Sequence, residues 1–427
     1  MTQRPFRFIH ASDLHLERPL SGVAEVPDTL REAFLEAPYL AAERVFENAL
    51  AEQVDFVVLA GDVLQAEVTG PRGPLFLVSQ FERLRHRGIQ VYWAGGEVDP
   101  TEAWPAVIRL PDNVHLFPHG RFEELPHHRG GEPLARLLGT STLRSREVRA
   151  GDFNPSPSSL FTIAVAHGNA DRELIMDRAA SMQSPVSLQP TVQYWALGGR
   201  HGRQTPSEAP YIAHYPGTPQ GREPNEVGAH GCTLVEVDED GAAHLRALAT
   251  DVLRWRHERI AVDAGTSQDD LSQTLAECLR ALVAAAPGLD LLISWEVHGA
   301  GPILPLLRRG TLSAELLATL RGQFGRGSPA AWSVSLEVAT DAVLPADWFR
   351  QENLLGDFLR AVADIEAAPA TSPRGRIDLT ALMKSRRAEG VWGAALALDD
   401  DDTTRRHVLA RAAALGADLL SGEESLS

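Results

Sequence analysis

Residues 6–16 read FRFIHASDLHL, an apolar run that ends with two polar side chains, Asp13 and His15. A second run, VDFVVLAGD at 54–62, ends in the same way with Asp62. Short hydrophobic runs of this kind are typical of buried strands in an α/β fold. Because ligands in such folds bind beyond the carboxyl ends of the strands, the two runs predict polar side chains gathered at one edge of a sheet.

Strand-like and helical segments alternate over about the first 250 residues. The strand candidates are FRFIHAS, VDFVVLA, IQVYWAG, FTIAVAHG, YWALGG and CTLVEVD. Residues 28–53 and 75–88 have apolar positions three and four apart, which is the spacing of helices. HHRGGEP at 127–133 has the composition of a loop. The alternation predicts a layered α/β domain.

Two further segments follow this domain. Residues 253–342 have the order strand, helix, strand, helix, strand, which predicts a small α/β module. The remainder is helix-prone, and its acidic DDDD at 399–402 and its tail GEESLS are typical of solvated or disordered sequence. We therefore predict three domains with the bounds 1–252, 253–342 and 343–427.

Composition excludes several classes of protein. Of the 427 residues, 44% are hydrophobic and 23% are charged, as in globular proteins. A net charge of −17 disfavours a generic nucleic-acid coat, although it allows a local basic groove. Cys232 and Cys278 form no CxxC pair or disulfide framework, which favours the reducing cytoplasm. No signal peptide or membrane-spanning run is expected.

Two histidines extend the set of polar residues that follow apolar runs. His167 ends AVAHG and His201 ends LGGRH. An isolated Asp-x-His or a lone histidine after a strand is weak evidence, but an ordered set at strand ends favours a two-metal phosphoesterase. Mixed carboxylate and imidazole ligands suit manganese, iron or zinc better than magnesium.

The ordered set resembles the calcineurin-like metallophosphoesterases of the DNA double-strand-break repair exonuclease branch, the SbcD-like and YhaO-like proteins. Their pattern is DxH, GD, GNHD, H and GHxH. The counterparts here are Asp13-Leu14-His15, Gly61-Asp62, GGEVD at 95–99, His167-Gly168 and Gly199-Arg200-His201, followed by a YhaO-like segment at 215–237. The resemblance implies a sandwich of two sheets flanked by helices, a small α/β capping domain and a helical C-terminal segment.

The same resemblance implies a set of metal ligands. One ion, Mn²⁺ or a similar divalent metal, would take Asp13, His15, Asp62 and His201, with Asp62 bridging to a second ion. The second ion would keep only Asp62 and His167 of the family's usual ligands, because the first histidine of GHxH and the Asn of GNHD are lost. The family pattern therefore implies one site that is occupied and a second that is weak.

The GGEVD segment aligns with GNHD in two ways. Matching Asp99 to the motif's Asp puts Glu97 at the Asn and Val98 at the His. Matching Gly95 to the motif's Gly puts Gly96 at the Asn and Glu97 at the His. Either way no catalytic histidine is intact, and Glu97 is the one candidate carboxylate replacement. Since loss of such a proton-transfer group costs roughly 10²–10⁴-fold in rate, we expect weak or absent activity.

Two neighbouring residues have interpretations of their own. Asp99 opens DPTE, a pattern typical of a helix start with Asp as the N-cap. Arg200 could supply the charge of a missing cation, but in an extended segment it would point away from His201.

Three functions remain open at this stage. The first is a metal-dependent phosphodiesterase that trims DNA ends. The second is a catalytically silent scaffold subunit that docks a coiled-coil SMC-like ATPase through helices in residues 344–390, as the resemblance implies, with a homodimer expected from the same source. The third is a one-metal phosphatase of small phosphoesters.

Overall fold

The structure is a computed structural model that describes residues 3–23, 26, 28–65, 70–100, 104–141, 147–149, 153, 156, 158–170, 192–208, 211–299, 301–339, 347–368 and 402–420. The chain divides into two compact units. The first comprises Met1–Arg256 with Gly288–Leu292, and the second comprises His257–Pro287 with Ile293–Ser427. The three-domain division expected from the sequence stays a prediction.

Two six-stranded sheets make up most of the first unit. In chain order its strands are β1 (Phe6–Ala11), β2 (Phe56–Ala60), β3 (Gln90–Ala94), β4 (Val114–Leu116), β5 (Glu123–Arg129), β6 (Glu132–Gly139), β7 (Glu147–Val148), β8 (Phe161–His167), β9 (Asn169–Ala170), β10 (Tyr194–Gly198), β11 (Gln204–Ser207), β12 (Ile212–Tyr215), β13 (Gly231–Val237) and β14 (Ala243–Ala249). The first sheet has the order β14-β13-β1-β2-β3-β4 and the second the order β11-β12-β10-β8-β6-β5. In each sheet four neighbouring strands run parallel, namely β1 to β4 and β6, β8, β10 and β12.

The core between the two sheets is rich in aromatic rings. Phe8 stacks on Phe56 at 5.0 Å, and the edge of Tyr194, from the second sheet, meets Phe8 at 5.4 Å. Successive side chains of a strand point to opposite faces, so Ile9 and Ala11 face away from this core. This alternation explains why β1 is apolar at nearly every position: both of its faces are buried.

Two helices cover the outer face of the first sheet. They are α1 (Asp28–Ala51) and α2 (Arg72–Arg85). The buried α1 residues Ala42, Val45, Phe46 and Ala49 recur at intervals of three and four, which places them on one face against the sheet. The bounds of both helices lie within three residues of those predicted from the sequence.

The β5–β6 hairpin corrects one expectation. Residues 127–133 were predicted as a loop, but β5 continues to Arg129 and β6 begins at Glu132. Only Gly130 and Gly131 form the turn, with φ of +64° and +85°, values that glycine adopts without steric cost. The prediction was wrong because β5 is a half-exposed edge strand with the sequence EELPHHR, which lacks an apolar pattern.

A small α/β module with a three-stranded sheet occupies residues 253–338, most of which belong to the second unit, and its order is the predicted one with one short helix added. Its elements are β15 (Leu253–Val262), α3 (Gln268–Ala285), β16 (Asp290–Gly299), α4 (Ile303–Arg308), α5 (Thr311–Phe324) and β17 (Ala331–Val338). The strands have the order β15-β16-β17. Ser267 and Asp270 form a reciprocal capping box that starts α3.

The C-terminal segment is helical, as expected. A 3₁₀ turn (Trp348–Arg350) precedes α6 (Leu354–Ala367), and α7 (Asp402–Leu420) packs on α6. Gly416 of α7 lies so close to Phe358 that a Cβ would come within 2.2 Å of the ring. Acidic residues 399–401 and the GEESLS tail lie outside the described residues.

The predicted fold class is confirmed: two sheets are flanked by helices and followed by a small α/β module and a helical segment. Among the helices that the structure describes, none has the length and apolar character needed to cross a bilayer.

Candidate metal centre

The loops that follow β1 and β2 are bound to each other. The backbone N–H of Asp13 donates to the carbonyl of Gly61, and that of His15 donates to the carbonyl of Asp62, each at 2.9 Å. Asp13, His15 and Asp62 have φ of +54°, +46° and +53°, in the left-handed region that costs non-glycine residues roughly 1–2 kcal/mol each. Surrounding contacts therefore hold the three predicted ligands in a strained backbone, as is common at functional sites.

His201 joins the first two of these residues from the second sheet. It follows β10, and its ligand atom lies within 4.8 Å of those of Asp13 and His15. The Nε2 atoms of His15 and His201 are 3.2 Å apart. Two metal–nitrogen bonds of roughly 2.0–2.1 Å in tetrahedral geometry would separate the nitrogens by about 3.3 Å. The pair is thus spaced as two imidazoles on one ion would be.

A second group lies beside the first and shares Asp13. It consists of Asp13, Asp62 and His167, whose ligand atoms also lie within 4.8 Å of one another. Nδ1 of His167 donates to the carbonyl of Ala60 at 2.9 Å, which turns Nε2 toward Asp62 Oδ2, 3.5 Å away. A backbone partner on one ring nitrogen is the usual arrangement for a metal-binding histidine.

The chemistry of the two groups fits a divalent metal. Asp13, His15, Asp62 and His167 are all buried, yet they put two carboxylates and several imidazole nitrogens in contact. Nδ1 of His15 has no hydrogen-bond partner among the residues that the structure describes. Buried charges normally persist only when they are paired or bind a metal.

Burial and crowding shift the pKa values of these groups. Burial raises the pKa of Asp13, partly offset by His167. Burial, with Arg222 and His201 nearby, lowers the pKa of His15 to about 2, so its ring is neutral and able to bind a cation. Burial opposes protonation of His167 too, but the carboxylates of Asp13 and Asp62 outweigh it and raise the pKa of His167.

The GGEVD segment approaches Asp62 through its backbone. The N–H of Val98 donates to Asp62 Oδ1 at 3.1 Å. A Cβ on Gly96 would lie 2.3 Å from the same oxygen and 2.6 Å from the backbone nitrogen of Asp62. Glu97 is exposed and belongs to neither ligand group. Of the predicted ligands, therefore, Asp13, His15, Asp62, His167 and His201 are brought together and Glu97 is not.

Asp99 has a role that the sequence interpretation missed. Its buried carboxylate accepts hydrogen bonds from the backbone of Asp62 and Val63 at 2.9 Å, from Gly96 at 2.6 Å and from the Trp93 indole at 3.1 Å. Burial and the charge of Asp62 raise the pKa of Asp99 to about 7. The helix for which it was the predicted N-cap would begin at Pro100 and continue into residues 101–103, which lie outside the described residues.

Glu226 was also missed, although the YhaO-like segment 215–237 contains it. Its Oε1 lies 2.5 Å from Nδ1 of His201. This hydrogen bond is the main cause of a raised pKa at His201, while burial opposes it. Arg200 behaves differently: it is exposed, with its guanidinium 5.6 Å from the centre of the Tyr215 ring.

Residues 6–189 match the model of the calcineurin-like phosphoesterase family. Residues 6–189 thus belong to a calcineurin-like metallophosphoesterase domain, and at this level the resemblance inferred from the motifs is confirmed.

Three curated relatives are similar to this chain. The uncharacterized metallophosphoesterase YhaO of Bacillus subtilis is 29% identical over 337 residues, covering 78% of this chain and 82% of that protein. The DNA double-strand break repair protein Mre11 of Aeropyrum pernix is 27% identical over 61% of this chain and 64% of its own length. Mre11 of Methanopyrus kandleri is 23% identical, covering 60% of this chain and 59% of its own length. The alignments therefore span less than two thirds of either Mre11 protein.

Proposed function

We propose that this chain is a metal-dependent phosphodiesterase that acts on DNA ends, and that its turnover is slow because only one metal is firmly held. The observation that carries the proposal is the 3.2 Å separation of the His15 and His201 Nε2 atoms, with the Asp13 carboxylate in the same group. Asp62 completes the proposed ligand set, since its Oδ2 lies 3.9 Å from His15 Nε2. DNA as the substrate class rests on the likeness to the two Mre11 proteins.

The residues around the proposed ion have separate tasks. A bound Mn²⁺ or similar cation would act as a Lewis acid toward a phosphoryl oxygen. The N–H of Gly199 donates to both carboxylate oxygens of Asp13, at 3.0 and 3.1 Å, and so orients them. Arg18, which is half exposed and lies three residues beyond His15, offers a guanidinium for substrate phosphate.

The proposed slow turnover follows from the contacts between Asp62 and the GGEVD segment at 95–99. Asp62 Oδ1 accepts the Val98 N–H, and Gly96 leaves no room there for an asparagine side chain. A second ion would have Asp13, Asp62 and His167 as ligands, of which the two carboxylates are shared with the first ion. It would therefore need substrate phosphate to complete its coordination. We propose that it binds weakly and only with substrate.

Metal content and DNA degradation test the proposal together. Elemental analysis after dialysis against Mn²⁺ should give about one equivalent per chain, and linear DNA should be degraded slowly in Mn²⁺. Asp62→Ala should lose both, whereas Asp112→Ala, which removes an exposed carboxylate, should retain both. DNA degradation that is equal in wild type and Asp62→Ala would refute the hydrolase. Turnover of a chromogenic phosphodiester without DNA degradation would instead indicate a small-molecule phosphatase.

A second candidate function is a silent scaffold subunit for a coiled-coil SMC-like ATPase. The observation that favours it is apolar exposure on the C-terminal helices: the side chains of Leu354 in α6 and Leu419 in α7 are 69% and 67% exposed. Exposed apolar side chains on helices suit helix-in-groove docking. Co-purification with such an ATPase that is lost on truncation after residue 343 would support it, because β17 already ends at Val338. Failure of the chain to bind such an ATPase would argue against the scaffold function. Sedimentation would test the expected homodimer. The cytoplasmic location expected from the cysteine pattern stays a prediction.

A further inference from the structure

We infer that Glu226 is a positioning residue of the metal centre: its carboxylate fixes the ring orientation and the Nδ1 proton of His201, so that Nε2 is presented to the ion. The inference rests on the proposed metal site. Glu226 lies outside all five family motifs and 25 residues beyond His201 in the chain.

Both oxygens of the Glu226 carboxylate are engaged. Oε1 lies 2.5 Å from His201 Nδ1, and Oε2 accepts the backbone N–H of Arg222 at 2.6 Å. The Glu226 backbone is fixed as well, since its N–H donates to the carbonyl of Glu223 at 2.9 Å and its own carbonyl accepts from His230 Nε2 at 3.1 Å. A carboxylate with an anchored backbone and only 11% side-chain exposure is a rigid acceptor.

This acceptor selects one tautomer of His201. A carboxylate has no proton to give, so the imidazole must carry its proton on Nδ1. The lone pair then resides on Nε2, the atom that faces His15 Nε2 at 3.2 Å and belongs to the ligand group with Asp13. Carboxylate–histidine–metal arrangements of this type raise ligand basicity and fix the ring.

The short segment that contains Glu226 also holds the loop that carries His15. The Arg222 guanidinium is buried and donates to the carbonyl oxygens of Arg18 at 2.8 Å, of Pro19 at 3.3 Å and of His15 at 3.4 Å. In the turn from Arg222 to Glu226, Arg222 therefore contacts the loop after β1, and Glu226 contacts the loop after β10. His15 and His201 come from different sheets, and this turn sets the distance between their rings.

Two measurements test the inference, one of which needs no metal. Long-range ¹H–¹⁵N spectra of the metal-free full chain should show His201 as the Nδ1–H tautomer in wild type and in Glu226→Gln, whose amide oxygen still accepts. Glu226→Ala should show a mixture of tautomers. In calorimetric titrations, Glu226→Ala should bind Mn²⁺ about 10–100-fold more weakly than wild type, with Glu226→Gln in between.

Glu223→Gln is the matched control, because it makes the same substitution three residues earlier in the chain. The Glu223 side chain is more exposed than that of Glu226 and does not contact His201. Its Mn²⁺ affinity and its His201 spectrum should equal those of wild type. An unchanged tautomer in Glu226→Ala, or an unchanged affinity in a wild type that binds Mn²⁺, would overturn the inference. Absence of Mn²⁺ binding by wild type would refute the proposed function alone, and the spectra would still decide the role of Glu226. If Glu226→Ala does not fold, equal Mn²⁺ affinity of Glu226→Gln and wild type would overturn the inference.

Discussion

Oδ1 of Asp99 accepts a hydrogen bond of 2.9 Å from the backbone N–H of Asp62, so one buried acidic residue holds the loop of another. The two residues are 37 positions apart and follow neighbouring parallel strands. The contact places the Asp62 side chain where His167 and Asp13 meet it. Asp99 therefore acts on the candidate metal centre through the backbone rather than as a ligand.

Asp99→Asn should destabilise the first unit. An amide nitrogen would face two buried donors in place of a carboxylate oxygen, and each unsatisfied buried donor costs about 1–3 kcal/mol. We expect the free energy of unfolding in urea to fall by at least ~2 kcal/mol, with weaker Mn²⁺ binding. Asp112→Asn, at an exposed position, is the control and should change neither quantity. Wild-type stability in Asp99→Asn would show that the four hydrogen bonds are not needed.

Gly96→Ala should be more damaging than its size suggests. The added Cβ would sit 2.3 Å from Asp62 Oδ1 and 2.6 Å from the Asp62 nitrogen, and the backbone atom cannot move aside cheaply. Overpacking of this kind costs roughly 1–3 kcal/mol, and Mn²⁺ affinity should fall with it. Gly322→Ala, in the exposed interior of α5 with nothing within 4 Å of the new Cβ, should instead raise stability by about 0.5–1 kcal/mol. Equal effects of the two substitutions would contradict the steric argument.

His15 allows loss of the ligand to be separated from backbone strain. Its φ of +46° suits glycine but costs other residues about 1–2 kcal/mol. Both His15→Gly and His15→Ala should abolish the rise in melting temperature that Mn²⁺ gives to wild type. Without metal, His15→Gly should be more stable than His15→Ala by ~1 kcal/mol, the reverse of the order usual for these residues. Greater stability of the alanine variant would mean that the loop relaxes once the imidazole is gone.

Two buried histidines away from the metal centre, His127 and His214, should each contribute stability that is lost in mild acid. Burial lowers the pKa of His214 to about 3 and that of His127 to about 4, from an ordinary 6.5. Between pH 6.5 and 4 these two histidines bind protons in the unfolded chain but stay neutral in the folded chain. The stabilisation is therefore complete above pH 6.5 and is lost as the pH falls, by at most ~1.4 kcal/mol per pH unit for each ring.

Urea unfolding at pH 7.5, 6 and 5 measures this loss. His127→Gln should flatten the dependence of unfolding free energy on pH, even though the loss of the hydrogen bond to the Tyr92 hydroxyl lowers its absolute value. His86→Gln, at an exposed position just after α2, should keep the wild-type slope. An unchanged slope in His127→Gln would rule out this residue as a source of the acid sensitivity.

The parts of the fold that could be predicted are those encoded by local pattern. β1, β2, β8 and β10 are buried at almost every position, so each is a largely apolar run that ends where a polar residue reaches the sheet edge. The order of these strand ends along the sequence was enough to predict that the following side chains lie together: Asp13, His15, Asp62, His167 and His201. The half-exposed edge strands, such as β5, have no such pattern because solvent accepts almost any side chain there.

The parts that could not be predicted depend on contacts between distant residues. Nothing near Glu226 in the sequence indicates that its carboxylate meets His201, and DPTE gives Asp99 a good local explanation as a helix cap. The left-handed backbone of Asp13 and Asp62 is likewise imposed by hydrogen bonds between two loops about 49 residues apart, a distance over which local propensity carries no information.

The antiparallel pairing of β1 with β13 sets Phe6 opposite Val237, so β1 leaves the ribosome well before β13 and must wait for its partner strand. At roughly 5–20 residues per second, that wait lasts on the order of 10–45 s. During it, one edge of β1 presents unpaired backbone groups beside an apolar surface, which is a template for pairing with other chains. Nascent chains of this protein should therefore depend on chaperones until β13 has emerged, and fragments that end before Gly231 should aggregate rather than fold.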